Sequence, residues 1–235
     1  MIEDIQVIRI KSDYSMTVDT VENGITSTKV ISARELEKTL LKSVISTDTK
    51  SGILPTKCIA WGKSRNGTST DYILRHDEDF ADIQYMETKY PQFPIPRFVF
   101  GFKLNCDNKV TDVKLGVTAK GVLTENTEMY HYPFSNVSGF NMCTGLNKLP
   151  TYKRISSLNN LPYFILSLPN NDDHYNPNNN KLGLNHRELL EHLKDKSTEY
   201  YYTKILVKSQ RKLKDFCEAK QEQPERRALP DGRVA

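Results

Sequence analysis

No stretch of this chain approaches the roughly 18 to 20 consecutive apolar residues needed to span a bilayer, so no membrane-crossing helix is expected. The opening MIEDIQVIRIKSD places two acids early and lacks the apolar centre of a secretory leader, so a cytoplasmic location is expected. There is no Cys-x-x-Cys pair. Cys58, Cys106, Cys143 and Cys217 are scattered, which excludes the usual structural zinc spacing. In a reducing compartment three of them are expected to be small buried hydrophobes. No Gly-x-Gly-x-x-Gly or P-loop pattern occurs, so nucleotide binding has no support. Excess charge of one sign is also missing: 33 basic against 29 acidic residues leave a net charge of +4. That balance does not call for a nucleic acid partner, and KSQRKLK is only a short basic run.

What is present is an ordinary globular composition, 37% apolar and 26% charged, over 235 residues. That length holds one good core, either as one large domain or as a domain with an added arm. IQVIRI reads as a strand within an N-terminal extension over residues 1–30. Ser32 with Glu35 forms a capping box, and Leu36, Leu40, Val44 and Ile45 fall on one face of the helix it would start. Asn66-Gly67 between two strand-like runs is a hairpin signature. After the charged stretch HDEDFAD, Pro91, Pro94 and Pro96 forbid a helix and favour an extended entry. Phe98, Phe100, Phe102 and Leu104 alternate, Asp107-Asn108 turns, and Val113, Leu115 and Val117 alternate again. This is a second hairpin with one buried face expected. MYHYP suggests a short strand, LPYFILSL a buried apolar segment, and PNNDDHYNPNNNKLG a polar loop. LNHRELLEHLKD reads as an amphipathic helix, and YYYTKILV as strand or helix. SQRKLKDFCEAK reads as a last short helix with Leu213, Phe216 and Cys217 inward. Residues 220–235 change composition and are expected to be a disordered tail. Helix, antiparallel hairpins, an irregular crossing, then helices is an α+β layout, with the main domain expected over residues 31–219.

In NVSGFNMCTG, Cys143 lies between two turns, where its thiol meets solvent. The thiolate is the reactive form, and a small ionised fraction suffices for exchange with an activated thioester. The oxyanion of such a reaction needs a fixed donor, typically worth about 3 kcal/mol. Asn136, seven positions upstream, offers a side-chain amide. The structural alternative is a packed cysteine with Asn136 supporting a turn.

YPQFPIPRFVF, a strand pair, and then MYHYPFSNVSGFNMCTGLNKLP resemble the ubiquitin-conjugating (E2) superfamily, most closely its bacterial branch, prokaryotic E2 family D. Tyr130, Pro133, Asn136, Val137, Gly139, Cys143, Gly145 and Asn147 carry the likeness, which covers roughly residues 85–215. The resemblance implies a UBC-like fold, with an antiparallel meander sheet and flanking helices. It also implies that Cys143 accepts a ubiquitin-like protein as a thioester from an E1-like activating enzyme. The acyl group then passes to an amine on a protein substrate. Asn136 stabilises the oxyanion or positions the flap. No cofactor is needed, because the E1 partner spends the ATP. Bacterial relatives sit beside E1-like and deubiquitinase-like partners, some in anti-phage defence. The chain departs from the family pattern in having Pro-Phe-Ser-Asn where His-Pro-Asn is usual, and an Asn-to-Cys spacing of seven where eukaryotic members have eight.

His131 and Tyr132 are candidates to line the acceptor channel, or to face solvent and core on a short strand. Thr144 and Asn147 flank the thiol as hydrogen-bonding or turn residues. Asp172 and Asp173 are candidates to deprotonate an incoming lysine, or simply to occupy a solvated loop. His186 and His192 fall on different helix faces, which argues against a shared metal. Two other functions compete: a cysteine hydrolase using His174 or His186 as base, and a catalytically silent E2-like adaptor.

Overall fold

The computed structural model describes residues 5–13, 15–22, 25–37, 51–64 and 67–219. Contacts divide the chain into two compact units, 1–51 and 52–235, so the larger unit starts beyond the division at 30/31 expected from the sequence. In the first unit β1 (Ile5–Ile10), β2 (Met16–Glu22) and β3 (Ile25–Ile31) form an antiparallel meander, order β1-β2-β3. Arg9 Nε donates to Asp19 at 2.8 Å and Thr28 Oγ1 donates to the same carboxylate at 2.7 Å, which ties the three strands across one face. After β3 the capping box is present: Glu35 N–H donates to Ser32 Oγ at 3.2 Å, and Ser32 N–H to the Glu35 carboxylate at 2.9 Å. A helical segment follows over 33–37. Leu40, Val44 and Ile45 lie outside the described residues, as does the 220–235 tail.

The second unit opens with the expected hairpin, β4 (Cys58–Lys63) against β5 (Ser69–His76). Gly67 takes φ +70° in its turn, a conformation glycine adopts without steric cost. The charged stretch then becomes a strand, which the sequence reading missed. β6 (Asp79–Tyr85) pairs with β7 (Thr88–Ile95), because Ala81, Ile83 and Tyr85 alternate inward beneath the acids. This hairpin is an insertion, since β5 pairs directly with β8 (Phe98–Asn105). β8 pairs in turn with β9 (Val110–Thr118), setting Phe98 opposite Val117, Phe100 opposite Leu115 and Phe102 opposite Val113. The result is a meander in the order β4-β5-β8-β9.

At the outer edge of β9 two short pairs attach. β10 (Glu128–Tyr130) pairs with β9, and β11 (Val137–Ser138) pairs with β12 (Asn141–Met142), which meets β9 at Lys114. β13 (Pro169–Asn170) adds in parallel to β6, and β14 (Lys208–Lys212) pairs with β10. The LPYFILSL segment is helical, α1 (Leu161–Leu166), with Pro162 in its first turn, where a missing N–H costs nothing. The amphipathic helix is α2 (His186–Leu193). Asn185 caps it by accepting from Glu188 N–H at 3.0 Å, and Leu189, Leu190 and Leu193 are buried. The tyrosine run resolves as a helical turn over Tyr201–Ile205, and the buried Tyr201 donates to the Pro94 carbonyl at 2.7 Å. The chain is thus a mixed α+β protein with a curled antiparallel sheet and few helices. No helix of the described residues is long and apolar enough to cross a membrane.

Two expectations need correction. The β8–β9 pair is buried on both faces, not one. The second face carries Ile73, Val99 and Met129 and is covered by Leu213 and Phe216 of α3 (Leu213–Glu218). Glycine makes the close approach possible: a Cβ at Gly116 would stand 3.2 Å from the Phe216 ring and 2.5 Å from the Met129 methyl. Lys114, also buried, donates through Nζ to the carbonyls of Phe216 (2.9 Å) and Ala219 (3.3 Å), satisfying acceptors that a helix end leaves open. Burial holds the pKa of this lysine below its ordinary value. The cysteines are the second correction, since Cys106, Cys143 and Cys217 are exposed and Cys58 is half-buried. Cys106 sits in the β8–β9 turn, and Cys217 lies one helical step round from the buried Phe216.

Truncating Phe216 removes the main cover of the second face. Phe216→Ala should lower unfolding free energy by about 3–5 kcal/mol, read from urea midpoints at unchanged slope. A loss under ~1 kcal/mol would mean that this face needs no cover. Acid sensitivity follows from His76 and His186, both buried, whose pKa values are held below the ordinary 6.5 mainly by desolvation. Between that value and the depressed native one, the unfolded chain binds more protons than the folded chain. Stability is therefore full above pH 6.5 and falls as pH drops below it. The urea midpoint should be lower at pH 5 than at pH 7.5, and the difference should shrink when His76 is replaced by a non-titrating residue of similar size.

Candidate functional site

The β11–β12 hairpin pairs Val137 with Met142 and Ser138 with Asn141, closing over Gly139 (φ +63°) and Phe140. Its next pair outward is Asn136 with Cys143. The seven-residue spacing is therefore the register of a two-residue turn, and it sets the two candidate residues opposite each other. Cys143 N–H donates to the Asn136 carbonyl at 2.7 Å. In a regular ladder Asn136 N–H would return the bond. Here Asn136 takes φ +62°, which asparagine tolerates better than other non-glycine residues, and its N–H goes to the Asp173 carbonyl at 2.7 Å. The hairpin is anchored from behind. Leu115 N–H donates to the Phe140 carbonyl at 2.8 Å, and the buried Phe140 ring meets Phe216 edge-on at 5.0 Å.

Asn136 itself is buried. Its side-chain amide donates to Asn170 Oδ1 at 3.3 Å, and Asn170 Nδ2 reaches the carbonyls of Gln84 (3.2 Å) and Leu168 (3.3 Å). The Cys143 thiol is exposed and makes no hydrogen bond among the described residues. The acidic loop 170–174 thus packs against the open end of the hairpin through Asn136. Tyr85 OH donates to Asp172 Oδ1 at 2.9 Å, while Asn171 and Asp173 exchange bonds of 2.8 and 2.9 Å. Beneath the hairpin lies a cavity of about 20 Å³, walled by Tyr132, Phe134, Met142, Asn170 and His186 among others. That is room for one water and for no metabolite, so an enclosed small-molecule site is not what this wall provides.

The remaining candidates separate. His131 is exposed, and its N–H donates to the Val207 carbonyl at 3.0 Å. Tyr132 turns inward against Phe98 and Phe134, and burial pushes the pKa of its phenol up. The pair therefore divides between solvent and core. The Thr144 carbonyl accepts from Asn147 N–H (3.2 Å) and Asn147 Nδ2 (2.8 Å), so Asn147 is committed to the turn. Leu146 between them is fully exposed. His174 is exposed at φ +60°, and His186 is buried and bonded to the loop. Neither is hydrogen-bonded to Cys143. Asn170 and Tyr85 are the residues the sequence reading missed. Asn170 stood within an asparagine-rich loop, and Tyr85 lies 87 positions from its partner Asp172. Among the described residues no cluster of three or more His, Cys, Asp or Glu side chains is placed to hold a metal.

Thiol reactivity should follow this geometry. With a neutral maleimide, native Cys106 and Cys143 should label fastest. Cys217, pushed up by partial burial, should be slower. Cys58, likewise pushed up by burial and donating to the Ala60 carbonyl at 3.3 Å, should be slowest until the chain unfolds. Peptide mapping of the labelled chain gives the order, and a Cys143 slower than Cys58 would contradict the exposed site. No family model, curated protein or solved structure matches this chain.

Proposed function

We propose that this chain is an E2-like conjugating enzyme whose acceptor is Cys143. The observation that carries the reading is the pairing of an exposed cysteine with a buried asparagine across a short hairpin, with an acidic loop bonded to that asparagine. The order of elements supports the reading: an antiparallel meander comes first, then the thiol segment, then helices.

In loading, the Cys143 thiolate attacks the thioester carbonyl of a ubiquitin-like protein held by an E1-like enzyme, and the E1 thiolate leaves. In discharge, a substrate amine attacks the new thioester, Cys143 leaves as thiolate, and the amine proton passes to a carboxylate of the 172–173 loop or to water. Each step passes through an oxyanion. The second hydrogen of the Asn136 amide, not used by Asn170, is the donor assigned to steady it. The chemistry requires no nucleotide or metal on this chain. A bacterial conjugation pathway with a role in anti-phage defence is the proposed setting, with a protein amine as final acceptor and a deubiquitinase-like protein as a further operon partner. For the hydrolase alternative, neither His174 nor His186 is hydrogen-bonded to Cys143, and His186 is buried and bonded to Asn171. The silent-adaptor alternative draws on one observation, that the Asn136 amide is engaged by Asn170.

Incubation with a cognate E1, its ubiquitin-like protein and ATP should give a thiol-sensitive adduct. Cys143→Ser should convert this to a thiol-resistant ester or abolish it, and an adduct unaffected by Cys143→Ala would sink the proposal. The Asn136 test needs a backbone control, because alanine at φ +62° costs about 1–2 kcal/mol that glycine avoids. Asn136→Gly should slow discharge to free lysine by about 100-fold, the usual loss of one oxyanion donor, and slow loading less, because attack by a free amine is the harder of the two acyl transfers. Equal slowing of both steps would remove the oxyanion role.

A further inference from the structure

His186 is absorbed by neither the reading above nor the core alone. It opens α2, just after the Asn185 cap, and its side chain is 2% exposed. The ring is gripped by aromatic neighbours from three directions. Tyr175 stacks on it at 4.7 Å, Tyr85 meets it edge-on at 4.6 Å, and Phe134 lies 6.4 Å away. Its Nδ1 lies 3.1 Å from the Asn171 carbonyl and 3.4 Å from Asp172 Oδ1. Both partners are acceptors, so Nδ1 carries the proton and the tautomer is fixed.

The bonds made at this nitrogen continue, through the loop, to the backbone of Cys143. Asn171 and Asp172 belong to the loop whose next residue, Asp173, accepts Asn136 N–H, and the Asn136 carbonyl accepts Cys143 N–H. Tyr85 reinforces the same loop through Asp172, and Arg187 holds its guanidinium over the Tyr85 ring at 5.0 Å. Resting on the conjugation reading for its consequence in turnover, we propose that His186 is a positioning residue for the thiol site. Through Nδ1–H it pins the acidic loop, and the loop holds Asn136 and the hairpin end that carries Cys143. It touches neither the acyl group nor the amine.

Three substitutions test this in the full chain. His186→Phe keeps ring bulk and loses the donor. His186→Asn places an amide N–H where Nδ1 stood. Tyr85→Phe removes one bond to the same loop and leaves the ring contact with His186. The first readout is amide hydrogen exchange at Asn136 and Cys143. His186→Phe should speed exchange at both by about tenfold, the loss of one hydrogen bond. Tyr85→Phe should do so to a smaller degree, and His186→Asn should stay near wild type. Three results overturn the proposal. One is exchange at both amides unchanged in His186→Phe and Tyr85→Phe. Another is equal acceleration in His186→Asn and His186→Phe, which would assign the effect to packing. The last is acceleration throughout the 52–219 unit in His186→Phe with the two amides unmoved in Tyr85→Phe. The second readout is turnover: His186→Phe should slow discharge to free lysine by about tenfold with loading within about twofold, and His186→Asn should restore it. Equal slowing of both steps counts against positioning. If wild type forms no thioester at all, the conjugation reading falls, and the exchange result still decides whether His186 holds the hairpin.

Discussion

Strand β9 is held by close packing on both of its faces. On one side Val113, Leu115 and Val117 meet the phenylalanines of β8. On the other, Gly101 and Gly116 leave the space that the Phe216 ring fills, and Lys114 bends over to close the end of α3. Interiors pack at crystal-like density, so an element gripped in this way has little freedom to shift. The hairpin that carries Cys143 hangs from this strand, by Asn141 against Lys114 and by the Leu115–Phe140 bond. The exposed thiol is thus mounted on one of the most firmly packed parts of the chain. That is what a reacting group needs if it must meet a large partner in a fixed orientation.

The second constraint is hydrogen-bond satisfaction. A buried N–H without an acceptor costs roughly 1–3 kcal/mol. When Asn136 turns left-handed its N–H leaves the hairpin ladder, and the only way to avoid that cost is to find another acceptor. The Asp173 carbonyl supplies it. A local backbone conformation therefore ties a loop rich in acids to a hairpin end bearing a thiol. The Asn136–Asn170 bond and the Asn170 bonds to Gln84 and Leu168 extend the tie to β6. None of these links is strong alone; together they leave the segment few alternative arrangements.

Periodicity made part of this legible. The Phe98–Leu104 and Val113–Val117 alternation reported its pairing, because inward and outward residues differ sharply there. β6 was hidden because Asp79 and Asp82, with the acids just before them, mask three inward residues. Burial of the second face was not legible either. Its cover comes from Phe216, about a hundred positions from the glycines it fills, and local sequence carries no trace of that contact. The cysteines misled for a related reason: a tendency of free cysteines to be buried says nothing about a turn at 106 or a helix step at 217. At the site, Asn136 and Cys143 were found from turn chemistry and resemblance. Their opposition followed only once Gly139-Phe140 was known to be the turn.

Exposure does not single out Cys143, since Cys106 and Cys217 share it. Cys106 stands in a turn beside Asp107, and Cys217 on a helix near Lys114. Cys143 alone is bonded through its backbone to a residue whose other bonds reach an acidic loop. That difference bears on the kind of acceptor. A lysine arrives as an ammonium, with an ordinary pKa near 10.4, and it attacks only after losing a proton. Under the proposed conjugation, Asp172 and Asp173, on the loop bonded to Asn136, would be the carboxylates to attract that cation and take its proton. A hydrolase would instead need an imidazole against the sulfur; neither His174, exposed on the loop, nor His186, whose Nδ1 is bonded to Asn171, is hydrogen-bonded to it. On the proposed conjugation reading, the acidic loop bonded to Asn136 is the feature of these surroundings that suits an amine acceptor.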